Sequence, residues 1–197
     1  MRKKHIKKTI LKNVSRRKIY INLPSTRQQT DYTCGAAALR AIAKYYGKDL
    51  NNENEFEILC RSGRIKGAHP EDIVKAAREL GLYATMEEFM SVDNLINYIT
   101  RKIPVICAIQ AWGDQRYYNK LKDGHYVVAI GFDNKNIYFE DPSITGSRPY
   151  LSKEEFYKRW IDREAYVDNP VKVRLGIMIR GGEPKKKKVL TKTRRLP

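Results

Sequence analysis

Four residues of this chain can do chemistry together. Cys34 follows Gln28-Gln29-Thr30-Asp31-Tyr32-Thr33 and opens the Ala-rich run from Gly35 to Tyr46. A helix that begins at Cys34 places the thiol beside backbone N–H groups with no intrahelical partner, where the helix dipole favours negative charge. Such a position suits a thiolate nucleophile. Gln28, six residues upstream, offers an amide N–H to a developing oxyanion. His125 opens the β-rich run His125–Phe132, and Asp141 closes the run Ile137–Glu140 that follows the turn residues Asp133-Asn134-Lys135-Asn136. In an antiparallel hairpin the start of one strand lies near the end of the other, so the imidazole and the carboxylate come within reach. An aspartate accepting the Nδ1 hydrogen fixes the tautomer and leaves Nε2 for a nucleophile. Pro142 holds Asp141 in an extended conformation. The four residues then read as nucleophile (Cys34), base (His125), orienter (Asp141) and oxyanion donor (Gln28).

The elements that must carry them follow from pattern and punctuation. Ile19–Leu23 reads as a short strand ending at Pro24. The helix from Cys34 stops at Gly47, a left-handed cap. A second helix spans about 53–61, and a third starts at Pro70, a favoured first position, and ends before Gly81. Ser91 caps a fourth over about 92–101, which Pro104 limits. Val105–Ile109 is a buried strand, 111–123 a polar and aromatic loop, and 125–132 with 137–140 the hairpin. Ser152 and Glu155 form a capping box before Phe156–Trp160. Val171–Ile179 reads as one final strand. Helices first and strands second is an α+β pattern, with an N-terminal helical half on a C-terminal antiparallel sheet.

With 197 residues the chain fits one domain with two flanking arms. Residues 1–19 form a basic N-terminal arm with nine Lys/Arg and no acid, and 181–197 a basic C-terminal tail. Eight Lys/Arg stand against Glu183 over 180–197, whereas 20–179 holds 22 bases and 21 acids. The body, residues 20–180, is therefore near neutral, and the net charge of +17 sits in arms attracted to polyanions such as nucleic acid, a ribosome, a capsid interior or an anionic membrane. No helix-turn-helix, zinc-finger or stacking-sheet signature accompanies them, which argues against sequence-specific recognition. No stretch reads as a transmembrane segment. The first residues lack a signal-peptide core. Three cysteines, Cys34, Cys60 and Cys107, argue against a disulfide framework and for a reducing, cytoplasmic setting. No metal or cofactor pattern is present.

Each feature also has a plainer reading. A cysteine at a helix start is commonly a small buried residue, a histidine at a strand end is commonly structural, and Asp-Pro is common turn punctuation. What raises the functional reading is their arrival in a workable order on suitable elements. Cys60 and Cys107 read as core, His69 as a cap-region residue and His5 as part of the solvated arm. Trp112, Tyr117 and Tyr118 either line a substrate cleft or pack against the body. Gly181-Gly182 ends a strand and starts a linker, or marks a self-processing point.

The blocks Gln28-x5-Cys34-Gly35-Ala36-Ala37-Ala38-Leu39, Gly124–Asp133 and Phe139-Glu140-Asp141-Pro142-Ser143 resemble the bacteriocin-processing cysteine peptidase family. The resemblance covers about residues 24–180. It implies a papain-like fold and cleavage of leader peptides after a Gly-Gly pair. By position it makes Cys34 the nucleophile, His125 the base, Asp141 the orienter and Gln28 the oxyanion donor. Gln29 is a second amide candidate, disfavoured by the six-residue offset. Phe156–Asp162 is similar to a segment of members that stand alone without a transporter. Thr33 departs from the Asp usual before the cysteine in transporter-linked members. The expected activity is peptide-bond hydrolysis on a peptide or protein substrate without a cofactor. The alternatives are acyl transfer on the same fold, or a catalytically silent peptide-binding module tethered by its arms.

Overall fold

The computed structural model describes residues 18–65, 67–112, 115–163, 170–181 and 193–195. The arm before Lys18 and the tail from Gly182 to Lys192 lie outside the described residues. The elements in chain order are β1 (Ile19–Tyr20), α1 (Cys34–Tyr45), α2 (Glu53–Leu59), α3 (Pro70–Glu79), β2 (Tyr83–Glu87), α4 (Val92–Thr100) and β3 (Val105–Gln110). A 3₁₀ turn (Gln115–Lys120), β4 (Gly124–Phe132), β5 (Asn136–Glu140), β6 (Arg148–Ser152) and α5 (Lys153–Arg159) follow. Last come β7 (Ile161–Arg163), β8 (Val171–Val173), β9 (Gly176–Arg180) and β10 (Thr193–Arg195).

α1 is the central helix. Nearly all of it is buried, from Cys34 to Leu39 and again at Ala41, Ile42, Ala43 and Tyr45. Alanine explains this: a helix of small side chains packs closely on every side, here against β4, α2 and α3. Its two basic residues, Arg40 and Lys44, turn outward to Asp49. α1 ends where Gly47 takes a φ of 73°. α3 begins with Pro70 at its first turn, and Ser91 Oγ accepts the Asn94 N–H at 3.0 Å to start α4.

The sheet runs β10-β6-β5-β4-β3-β9-β2, with β1 added beside β4. Pairing is antiparallel except where β10 joins β6. β3 is buried throughout and β4 is buried from His125 onward, because both are central and covered on both faces. β7 and β8 form a separate two-stranded ribbon. The α+β expectation therefore holds, with local differences. Residues 83–87, 148–152 and 161–163 are strands for which the sequence pattern gave no element, and the strand expected over Ile19–Leu23 shortens to Ile19–Tyr20. The segment 171–179 is two strands, broken at Arg174 with a φ of 49°. Only half of the capping box forms: Ser152 Oγ accepts the Glu155 N–H at 3.0 Å, while the Glu155 carboxylate turns to Arg159 and Arg195.

The segment between β1 and α1 ties the two halves together. Glu140, buried at the end of β5, accepts from Ser25 Oγ and from the Thr26 N–H, both at 2.9 Å. Its other oxygen pairs with buried Arg148, which also donates to the Leu23 carbonyl. Thr26 Oγ1 donates to the Ala37 carbonyl of α1 at 2.8 Å. Further up, β1 lies so close to β4 that a Cβ on Gly131 would sit 2.6 Å from the Ile19 carbonyl oxygen. Gly131→Ala is expected to push β1 off β4 and to lower stability by about 1–3 kcal/mol. Urea unfolding of the variant measures this, and an unchanged midpoint contradicts the close approach.

Candidate active site

β4 and β5 bring His125 and Asp141 together. His125 Nε2 lies 2.7 Å from Asp141 Oδ1, and both side chains are almost wholly buried. The pairing on the ring is the reverse of the sequence expectation, which gave Asp141 the Nδ1 hydrogen. The register supplies the reason. Val128 pairs with Glu140, so Asp141 lies diagonally across from His125, and the tip of the ring spans that longer gap. Nδ1 is then the nitrogen left to face Cys34, which lines the same cleft as His125. The hairpin turn forms as expected: Asp133 Oδ1 accepts the N–H groups of Lys135 and Asn136, both at 2.8 Å.

Burial by itself would lower the imidazole's proton affinity. The charge and hydrogen bond of Asp141, and then Cys34, outweigh it and hold His125 well above its ordinary value. Burial pushes Asp141 the other way, and His125 together with Ser143 more than offsets it, so its carboxyl stays below the usual range. Ser143 contributes twice, through its N–H at 2.8 Å and its Oγ at 2.7 Å, both to Asp141 Oδ1. The Trp112 ring covers the imidazole with centroids 5.0 Å apart, which keeps water from the pair and strengthens it.

Cys34 is the first residue of α1 and is 7% exposed. The turn ahead of it is closed by Thr33, whose Oγ1 accepts from the Thr30 N–H and Thr30 Oγ1, both at 3.2 Å. A hydroxyl thus closes the turn where transporter-linked relatives are expected to have a carboxylate. Gln28 is fixed to the aspartate's own loop, since its backbone N–H donates to the Pro142 carbonyl at 3.0 Å. One N–H of its side-chain amide goes to the Thr30 carbonyl at 2.8 Å. The second N–H of the amide makes no hydrogen bond among the described residues. Gln29 is exposed, and its backbone N–H is bound to Glu53 at 2.9 Å.

The other candidates fall to structural roles. Cys60 and Cys107 are fully buried free thiols, and burial, then Asp72, pushes Cys60 up to about 12. His69 precedes α3. Tyr118 is buried beneath the Arg159 guanidinium, so it packs against the body, while Trp112 sits over His125. The side chain of Tyr117 lies outside the described residues. Gly181 follows β9, which runs in the same direction as β4, with Met178 level with Ala129 through Val105. Gly181 is therefore roughly 20 Å along the strands from His125, at about 3.3 Å per residue. Gly182 lies outside the described residues.

Pattern reading missed the walls of the site. A cleft of about 590 Å³ opens on Cys34 and His125, lined among others by Arg64, Lys122, Asp162 and Arg163, a volume in the range of ligand sites. Asp162 lies so close to Gly124 that a Cβ there would be 2.5 Å from Oδ1. Gly124, before His125, and Asp162, at the end of the Phe156–Asp162 segment, carried a signal in the sequence, while Arg64, Lys122 and Arg163 carried none. No group of residues suited to hold a metal occurs among the described residues, and no described helix is long and apolar enough to cross a membrane.

Comparison with known proteins shows the family and the fold. Residues 20–167 match the model of the Peptidase_C39 like family. The chain is 28% identical over 135 residues to the pediocin PA-1 transport/processing ATP-binding protein of Pediococcus acidilactici, covering 68% of this chain and 17% of the relative. It thus spans less than a fifth of that relative's length. Among solved structures, the peptidase domain of Streptococcus ComA superposes with a TM-score of 0.61 at 23% identity, covering 83% of this chain and all of that one. A cysteine protease of Carica candamarcensis superposes with a TM-score of 0.51 at 15% identity, over 87% of this chain and 99% of that one. The fold is papain-like.

The buried pair sets a pH signature of its own. A depressed Asp141 contributes stability above its ordinary 3.8 and loses it as pH falls through the folded value. A raised His125 contributes fully below its ordinary 6.5 and loses it as pH climbs towards the folded value. The coupling between them, from a double-mutant cycle with His125→Gln and Asp141→Asn in chemical denaturation, should be greatest between pH 3.8 and 6.5 and decline above. A coupling that stays flat to high pH rules the ion pair out.

Proposed function

The chain belongs to the Peptidase_C39 like family, and we propose that it hydrolyses peptide bonds through Cys34, His125, Asp141 and Gln28. The observation that carries the reading is the buried imidazole, bound at Nε2 by Asp141 at 2.7 Å and lining the same cleft as the Cys34 thiol. The Cys34 sulfur attacks the peptide carbonyl carbon and the C–N bond breaks after a tetrahedral intermediate. The Cys34 backbone N–H and the free N–H of the Gln28 amide stabilise the oxyanion. His125 gives its proton to the leaving amine, and then takes one from the water that attacks the thioester, regenerating the thiol and releasing the acid. Asp141 keeps the imidazolium in place through both steps. The resemblance of the Gln28–Leu39, Gly124–Asp133 and Phe139–Ser143 blocks supports a scissile bond after Gly-Gly.

Labelling by a neutral peptide electrophile should vanish in Cys34→Ala, because Cys60 and Cys107 are fully buried. His125→Ala should slow it by about 10²-fold or more, and Asp141→Asn by less. Gln28→Ala should lower kcat for a Gly-Gly peptide by about 10²- to 10³-fold. A Cys34→Ala protein that labels like wild type overturns the assignment. Product masses with and without added amines separate hydrolysis from acyl transfer.

The basic arms support a second contact, with a polyanion. Nine Lys/Arg before residue 20 and eight after 179 should retain the chain on DNA or RNA at low salt, with affinity falling steeply as salt rises. Retention that survives deletion of both arms contradicts this.

A further inference from the structure

The cleft beside Cys34 holds three cations with no ion-pair partner among the described residues: Arg64, Lys122 and Arg163. They are carried by different walls. Arg64 projects from a loop closed by reciprocal backbone hydrogen bonds between Gly63 and Gly67, at 3.0 and 2.8 Å. Lys122 lies just before β4, and Arg163, next to Asp162, ends β7. The Arg163 Nε is shut away from water with no acceptor among the described residues. An N–H left this way is normally satisfied by something.

The cleft's own carboxylates do not answer these charges. Asp162 Oδ1 accepts from the Gln110 amide at 2.9 Å and from the Arg163 backbone N–H at 2.8 Å, leaving the Arg163 guanidinium without it. Asp31, the other acid among the described residues of the cleft, is exposed. A peptide laid from the Arg64 wall across Cys34 to the Arg163 wall would therefore meet guanidinium groups on both sides. Guanidinium groups favour carboxylates with two parallel hydrogen bonds, and a walled cleft concentrates their field.

We infer that the cleft selects acidic peptides, with Asp or Glu side chains within a few residues of the bond presented to Cys34. The inference rests on the peptidase reading for its meaning, but binding tests it separately. Three labelled peptides with Asp, Asn or Lys flanking a common Gly-Gly core are titrated into full-length Cys34→Ala protein by fluorescence anisotropy. The Asp peptide should bind about tenfold more tightly than the Asn peptide, and the Lys peptide more weakly than either, with the spread shrinking at high salt. The Arg64→Glu/Arg163→Glu pair, built on Cys34→Ala, should reverse the order so that the Lys peptide binds best. Such a reversal cannot come from the basic arms, which are the same in both proteins, or from a loss of packing. Equal binding of the three peptides, or an Asp preference that persists in the double variant, overturns the inference. Labelling of wild-type Cys34 reads the nucleophile independently, so the two readings can fail apart.

Discussion

The candidate active site is organised around the buried Glu140 carboxylate. One of its oxygens takes the Ser25 hydroxyl and the Thr26 N–H, and the other takes Arg148, which in turn holds the Leu23 carbonyl. Removing either partner of a buried ion pair typically costs about 3–5 kcal/mol, because the charge left behind has lost its water as well as its mate. That asymmetry makes the pair a constraint on geometry more than a source of net stability. It fixes Leu23–Thr26 against the sheet, and Thr26 passes the constraint to Ala37 on α1. Two residues later the Gln28 N–H is bound to Pro142. The nucleophile's helix and the loop bearing Asp141 are thus held by one short stretch of chain, and neither half can shift without breaking buried hydrogen bonds.

The same logic governs the histidine. An imidazole this deeply buried would lose its proton if it stood alone. Asp141 reverses the balance, and Asp141 is itself held ionised by His125 and both donors of Ser143. Trp112 excludes water from the ring. Trp112 in turn follows Ala111, whose carbonyl accepts from buried Arg159. Arg159 is gripped at 2.9 Å by Glu155, and Glu155 also binds Arg195 of β10 at 2.8 Å. The strand end that carries the covering ring is therefore anchored through α5 to the last described strand of the chain.

Local chemistry was the legible part of the sequence. Cys34 heads its helix, Gly47 and Pro70 bound theirs, Ser91 caps its own, and the Asp133–Asn136 turn forms, all by interactions within a few residues. The α+β order and the meeting of His125 with Asp141 follow from that. What stayed hidden depends on distant partners. Tyr83–Glu87 is a strand because β9 lies beside it, and Arg148–Ser152 because β5 does. The break at Arg174 is imposed by packing, with its N–H bound to the Trp160 carbonyl and its Nε to that of Met90. Which ring nitrogen meets Asp141 is a matter of register, and a hairpin pattern carries no register to that precision.

Charge shows the same division between local and distant causes. Counting along the chain assigns the excess to the arms and leaves the body near neutral. In three dimensions that neutrality is uneven. Arg40, Lys44 and Lys172 are matched by nearby acids, and the buried arginines 148 and 159 by Glu140 and Glu155. Arg64, Lys122 and Arg163 come from segments far apart in sequence, and the fold gathers them at the mouth of the cleft. Folding an almost neutral body thus yields a polarised site, because it gathers three cations beside the thiol that no acid among the described residues pairs with. Linear composition averages this out, since a charge count does not record which acids have already been claimed.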